Sequence, residues 1–279
     1  MALAHHPRAP RLASSGHDGR VVVRDTLTGA VVHTLTSPDP WIDHLAWSPG
    51  GAWLAAAAGR HLRVWDGEGA LVGCSEAHPS TVSALGWWAE DEVATACYGQ
   101  VAFWRLPIGA PRETLRWKGS LVSMTLSPRG DVVACGSQDH TVHFWRRGTG
   151  QDSMMSGYAG KPASLAFDAT GRLLATGGGE SVTVWSFTNG GPEGTEPGVL
   201  SLHPAPITAL RFAHRGAILA SGGREGGVVV WKLRDDGNGG PIGAAVGSAA
   251  VEALAWRPDD RALAAIDANG EVTTWRVRQ

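Results

Sequence analysis

The stretch from Val132 to Arg146 returns along the chain in altered form. A chain written as copies of one unit must fold as copies of one structure. Val132 to Gly136 is short, small and β-compatible, Ser137 to His140 is polar and turn-like, and Thr141 to Trp145 alternates into a tryptophan. That order predicts a hairpin whose second strand ends on a large side chain. Aligned on that end, the copies place Arg24, Trp65, Trp104, Trp145, Trp185, Trp231 and Trp275 in register, at spacings of 41, 39, 41, 40, 46 and 44 residues. A second signal precedes each hairpin: an apolar strand running into a Pro, Gly or Asp turn, as in residues 44–51, 84–91, 124–131, 165–172, 210–217 and 255–262. Leu3 to Arg8 fits the same pattern, so the first copy begins there.

Seven copies of about 40 residues have the period of a four-stranded propeller blade. The segments Leu12–Asp25 and His61–Asp66 carry the signature closely, and on them the chain resembles the WD-repeat β-propeller family over essentially its whole length. The Trp-Asp pair itself survives at Trp65-Asp66, with Arg24-Asp25 as a variant. Elsewhere Arg105, Arg146, Ser186, Lys232 or Arg276 follows the aligned position, which in the family usually faces outward. The resemblance implies an all-β, seven-bladed propeller with four-stranded antiparallel blades. Strands are named a to d from the centre outward, with the aligned tryptophan on strand c. The expected blades are 1–37, 41–76, 81–119, 120–157, 162–202, 207–247 and 251–279, forming a single domain over 1–279. Ala55 to Ala58 favours a helix in isolation, yet is expected as strand b of blade 2 because crowded inner strands need small side chains.

Two features disturb the period. Gly/Pro-rich insertions at Thr188–Gly198 and Arg234–Pro241 lie between strands c and d of blades 5 and 6 and account for the long spacings. Blade 7 is expected to lack its outer strand, since only Arg276 to Gln279 follow Trp275 and Leu3 already stands in strand a of blade 1. Twenty-eight strands are needed and 27 are supplied. The expectation is an open edge at Glu271–Trp275, explained by a start further upstream or by a partner strand that completes the blade. Without such pairing a monomer is expected.

Composition narrows the function. A formal net charge of −2 supplies no global field for nucleic acid or an anionic membrane surface. No apolar run has the length of a membrane span or a signal peptide. Three cysteines, Cys74, Cys97 and Cys135, without regular spacing do not make a disulfide framework. They fit reduced thiols in the cytoplasm.

The family often ties a blade together by hydrogen bonds among a His before strand a, a Ser or Thr on strand b, the strand-c Trp and an Asp in the b–c turn. A buried indole N–H needs an acceptor. Blade 3 offers His78, Thr95 and Trp104 with Tyr98 at the Asp position. Blade 6 offers His203, Ser221 and Trp231 with Glu225 there. Blades 1 and 4 keep Asp18 and Asp139, but Cys135 replaces the hydroxyl in blade 4, and Ala56 and Ala265 replace it in blades 2 and 7. By this criterion no blade is complete, and these residues read as structural. Eleven histidines occur without a Cys-x-x-Cys or His-Glu-x-x-His pattern. Asp235 to Gly240 fails as a calcium loop, because its third and fifth positions are Gly. No nucleophile elbow or phosphate-binding loop is present. No catalytic, cofactor-binding or metal-binding residue is therefore assigned, and no cofactor is expected.

Six tryptophans belong to strand c, and Trp47, Trp87 and Trp256 share an anchor position on strand a. Trp41 is different. It enters strand a of blade 2 where other blades carry Thr81, Ser120, Lys161, Pro206 and Ala250. In the family this end of strand a opens onto a common docking face. An aromatic there reads either as a binding hot spot or as packing against Pro38 and Pro40. The expected function is a non-catalytic scaffold binding a protein or peptide on the rim, through Trp41, Asp43, Tyr98, Lys161, Arg224 and Glu252. The alternatives are a propeller hydrolase with a channel site and the sensor part of a larger multidomain enzyme.

Overall fold

The computed structural model describes residues 2–188 and 190–277. The protein is an all-β propeller with four-stranded antiparallel blades; the described residues form 25 strands and no helix. It divides into two compact units, Met1–Met124 and Thr125–Gln279.

In the first unit, β1 (Leu3–His5), β2 (Arg11–Ser15), β3 (Arg20–Asp25) and β4 (Val31–Thr36) pair in sequence order. So do β5 (Ile42–Trp47), β6 (Trp53–Ala58), β7 (His61–Asp66) and β8 (Leu71–Cys74). The alanines of β6 are a strand after all, and all four are buried. A small side chain lets β6 sit between β5 and β7 while Leu54 and Trp65 join Val21, Val23 and Leu35 of the preceding sheet in one core.

The third sheet departs from expectation. It runs β14-β13-β12-β11-β10-β9, where β9 is Ala84–Ala89, β10 Glu92–Arg105, β11 Glu113–Leu126, β12 Val132–Ser137, β13 Val142–Arg146 and β14 Gln151–Met155. The repeats expected as separate blades at 81–119 and 120–157 therefore share one six-stranded sheet, and the described residues form six sheets rather than seven blades. The reason is local. No turn separates Gly119 from Ser120, so β11 continues through the expected boundary with a register shift opposite Tyr98–Gln100, and Ser120 pairs with Tyr98. Within β10, Thr95 Oγ1 lies 3.4 Å from the Ala102 carbonyl oxygen. Seven residues of straight strand would span about 23 Å, so β10 doubles back at Gly99, whose φ is 84°. Glycine accepts that conformation without steric penalty.

In the second unit, β15 (Ser164–Phe167), β16 (Leu173–Gly177), β17 (Ser181–Ser186) and β18 (Gly198–Ser201) form one sheet. The next comprises β19 (Ile207–Phe212), β20 (Ile218–Gly223), β21 (Gly227–Leu233) and β22 (Gly239–Val246). These two sheets share a core in which Leu173, Val184 and Leu200 meet Ile207, Phe212 and Trp231. The last sheet has three strands among the described residues, β23 (Val251–Trp256), β24 (Ala262–Asp267) and β25 (Val272–Arg276). Arg278 and Gln279 lie outside the described residues. The two Gly/Pro-rich insertions approach each other: a Cβ on Gly198 would meet Gly237 O at 2.2 Å, and Ser186 Oγ at the end of β17 donates to the Asp235 carbonyl at 2.9 Å. The second insertion is shorter than expected, because Gly239 to Pro241 already belong to β22.

Neighbouring sheets are stitched by strand-a tryptophans. Trp47 Nε1 donates to Ala4 O at 3.1 Å, Trp87 to Ala46 O at 3.0 Å and Trp256 to Arg211 O at 3.0 Å. Inside a blade the hydroxyl of strand b is the hub. Thr95 accepts from Trp104 at 2.8 Å and reaches His78 Nε2 at 2.8 Å, while His78 Nδ1 donates to Arg60 O at 2.8 Å. Ser221 accepts from Trp231 at 2.8 Å and reaches His203 Nε2 at 2.7 Å, and Glu225 receives His203 Nδ1 at 2.5 Å. The expectation that no blade is complete is corrected here: the carboxylate of Glu225 does the work of the missing Asp. A third network uses a tyrosine instead of histidine. Trp185 donates to Tyr158 Oη at 2.8 Å, Tyr158 contacts Thr176 Oγ1 at 2.9 Å, and Thr176 donates to Thr183 O at 3.1 Å.

Two predictions follow from these buried groups. Thr95→Ala or Ser221→Ala leaves a buried indole N–H and an imidazole without their shared partner, so each should destabilise the fold by about 2 kcal/mol in denaturant titrations. A loss near zero would show that the hydroxyl is dispensable. The second concerns acid. His6, His44, His78 and His143 are all pushed below the ordinary imidazole value of 6.5, chiefly by burial. As pH falls through 6.5 the unfolded chain takes up protons that the folded chain still refuses. Stability should be full above that value and decline below it, well before the aspartates titrate. Unfolding midpoints that are flat between pH 7.5 and 5 would contradict this.

Candidate functional site

The six residues expected on the rim fall into two groups, one in each unit. In the first unit the chain between β4 and β5, Ser37 to Pro40, leads into Trp41. Its course is fixed at several points. Ser37 N–H donates to Gly19 O at 2.8 Å, and Asp39 N–H donates to Ser37 Oγ at 3.1 Å. Gly19 itself has φ 75°, and a Cβ there would come within 2.8 Å of Ser37 O. Asp39 Oδ2 accepts from Arg63 at 2.9 Å and lies 3.1 Å from His61 Nδ1. The Arg63 guanidinium holds the Asp39 carboxyl below the usual carboxylate range.

This tethered loop presents Trp41 at φ 64° with 57% of its surface exposed. A bulky non-glycine residue rarely adopts that conformation. The indole is exposed, as are Pro38 and Pro40 on the approach to it. It stacks on the His17 ring, with centroids 4.5 Å apart and planes inclined by 30°. Asp43 Oδ1 lies 3.9 Å from His17 Nε2. Trp41, His17 and Asp43 thus form one cluster of ring, ring and carboxylate. Tyr98 stands at the fold-back of β10, 57% exposed, with its N–H bonded to Ser80 Oγ at 2.9 Å.

In the second unit Lys161, Arg224 and Glu252 are brought together. All three are exposed and line a cleft of about 1290 Å³. Its floor includes Tyr158 and Trp185 of the third hydrogen-bonded network, and Glu180 adds a second carboxylate. The backbones that frame it approach closely: a Cβ on Gly160 would meet Gly178 O at 2.8 Å, so glycine is required on that wall. Two cations, two carboxylates and aromatic edges in one cleft suit a polar, extended ligand. Sequence reasoning missed His17, Asp39 and Arg63. Their contacts join residues from separate sheets, and no spacing pattern marks them. Among the described residues, no group of three or more His, Cys, Asp or Glu side chains is placed to hold a metal ion.

The fold and its internal networks define a repeat propeller, and comparison with known proteins agrees. The WD40 model, "WD domain, G-beta repeat", matches residues 29–66, 109–146 and 194–232. Each match ends one residue past an aligned tryptophan: Trp65, Trp145 and Trp231. The chain thus carries WD40 repeats at these three places. It is 28% identical over 251 residues to "Telomerase protein component 1" of Mus musculus, a match covering 86% of this chain and 9% of the mouse protein. A chain from the "Crystal Structure of Mitotic Checkpoint Complex" superposes with a TM-score of 0.83 at 18% identity, over 99% of this chain and 86% of that one. At that identity the likeness is one of fold.

Strain at Trp41 is testable apart from any ligand. Trp41→Gly and Trp41→Ala both remove the stacked ring, but only glycine accepts φ 64° freely. The glycine variant should be more stable than the alanine variant by about 1 kcal/mol. Equal unfolding midpoints would mean that the loop relaxes once the ring is gone.

Proposed function

We propose that the chain is a non-catalytic interaction scaffold that binds a protein or peptide on its rim. In this reading it acts in the cytoplasm as a monomeric, single domain, with neither nucleic acid nor membrane as its partner. The observation that carries the reading is Trp41: an exposed indole, held at a strained φ by a loop tied down through Asp39. Folding alone gains little from such a residue, whereas a rigid exposed aromatic is what binding hot spots use. Asp43 beside it, Tyr98, and the Lys161, Arg224 and Glu252 cleft supply further contacts of mixed charge. Mixed charge favours selective recognition of a polar segment over bulk attraction to a polyanion.

A second reading, the sensor part of a larger multidomain enzyme, draws on the mouse relative, of which the matched region is 9%. The sequence flanking this region in its gene tests it.

The test of the first reading is a peptide library displayed against the intact chain. Selected peptides are then measured on Trp41→Ala and on Lys161→Glu/Arg224→Glu. Trp41→Ala should weaken binding by about 2 kcal/mol or more with the unfolding midpoint nearly unchanged. The charge reversals should change which peptides bind. Peptides that bind both variants as they bind the wild type would reject this surface.

A further inference from the structure

A second cleft in the second unit, of about 530 Å³, is independent of the rim. Its walls are the turn after β11 (Ser127–Asp131), the turn after β15 (Thr170–Arg172), the end of β13 at Arg146, and Phe187, Gly190 and Gly191 of the first insertion. Three arginines, Arg129, Arg146 and Arg172, line it, against one acidic residue, Asp131. Asp131 is already engaged, accepting from Ser127 Oγ at 2.6 Å.

The three arginines are not equivalent. Arg129 and Arg172 are exposed, and neither has a carboxylate within ion-pair distance among the described residues. Arg146 is held from three sides. Its two terminal nitrogens donate to the two Glu193 oxygens at 2.6 and 2.8 Å, one also donates to Gly190 O at 2.8 Å, and its guanidinium carbon lies 5.2 Å from the Phe144 ring centroid. That pairing raises the proton affinity of Arg146 and lowers that of Glu193. A guanidinium fork recognises any oxyanion with two suitably spaced oxygens, carboxylate or phosphate alike. Glu193 therefore occupies on Arg146 the place that an external oxyanion would take. Two lining glycines leave space beside the cleft, since a Cβ on Gly190 or Gly148 would meet nothing within 4 Å, whereas a Cβ on Gly191 would strike the Arg146 guanidinium.

We propose that this cleft is an oxyanion site that takes a doubly charged phosphate group, bound by Arg129, Arg146 and Arg172 in competition with the internal carboxylate of Glu193. A phosphate monoester carries close to two negative charges at neutral pH and three acceptor oxygens, which suits two unpaired guanidiniums and one that can exchange its partner. The group could be free phosphate or an ester. The insertion that carries Glu193 would then respond to ligand, because the fork to Arg146 is one of its ties to the sheets.

The experiment is calorimetric titration of the intact chain at constant ionic strength with inorganic phosphate and with glycerol 3-phosphate, using glycerol as control. Saturable binding of a phosphate probe and none of glycerol is expected. Tighter binding of the ester than of phosphate assigns the site to an ester, and the reverse assigns it to the free anion. Arg129→Ala/Arg172→Ala should weaken binding about tenfold or more, the equivalent of a lost charge-assisted hydrogen bond, with an unchanged unfolding midpoint. Glu193→Gln should strengthen it severalfold by removing the competitor's charge. The proposal fails if neither phosphate probe binds saturably, if the double alanine variant binds like the wild type, or if Glu193→Gln has no effect. None of these results bears on Trp41 or the rim cleft.

Discussion

The sheets that follow the first bury tryptophans among hydrogen-bonded strands, and a buried indole N–H must be given an acceptor. Two solutions recur. On strand a, Trp47, Trp87 and Trp256 take a backbone carbonyl of the preceding sheet, so one bond both satisfies the indole and fixes the neighbour. On strand c, Trp104 and Trp231 take a hydroxyl of the adjacent strand. A hydroxyl is suited to that place because it accepts from the indole and still has a proton to pass on. In both cases the imidazole must donate through Nδ1 to an oxygen that only accepts, the Arg60 carbonyl or the Glu225 carboxylate. Its Nε2 is then left to receive the hydroxyl proton. The direction of the whole chain of bonds is thus set at its far end.

Much of this order was legible in the sequence, because repetition shows which positions matter. The aligned tryptophans, the strands around them and the strand-a anchors stand where the period places them. Tyr158 was missed because the search was for histidine. Its spacing was nevertheless available: Tyr158 precedes Thr176 by the same 18 residues that separate His203 from Ser221. A phenol can accept from Trp185 and donate to Thr176, so it fills the histidine's role with a different ring. Blade 6 was counted incomplete because Glu225 stands where the pattern has Asp, yet its carboxylate receives His203 Nδ1. The count of sheets was misjudged for a different reason. A blade boundary is a break in pairing, and nothing in Trp117 to Leu121 marks whether pairing stops there.

The candidate site was legible only by subtraction. Once nine strand tryptophans were assigned to the fold, Trp41, Trp53, Trp88 and Trp117 remained, and of these Trp41 stands at the end of strand a expected to open onto a docking face. The residues that make it rigid could not be found that way. His17 lies 24 positions before Trp41, and Arg63 lies 24 positions after Asp39. They meet only because consecutive sheets pack together, and the sequence period carries no information about which exposed polar groups touch.

Among the described residues, three non-glycine residues have positive φ, and they separate structural strain from strain of another kind. Trp41, His140 and Asp260 have φ of 64°, 65° and 59°. His140 belongs to the tight turn between β12 and β13, where its N–H donates to Ser137 O at 3.2 Å. Asp260 is buried, and its carboxylate accepts the His214 N–H at 2.9 Å, the Arg215 N–H at 3.0 Å and His214 Nδ1 at 2.8 Å. Burial alone would raise that carboxyl, yet these bonds hold it below the usual range. Strain of about 1–3 kcal/mol is readily offset by such a set of charge-assisted bonds. Trp41 has far less return. Its carbonyl accepts the Gly59 N–H at 3.3 Å, and its ring gains one stacked imidazole while most of its surface stays in water. The conformation persists because Asp39, Ser37 and Gly19 fix the loop on the approach to Trp41. On the proposed reading, the part-buried contacts that hold this exposed indole in one orientation arrange in advance the part of binding that otherwise opposes it, the loss of side-chain and loop freedom.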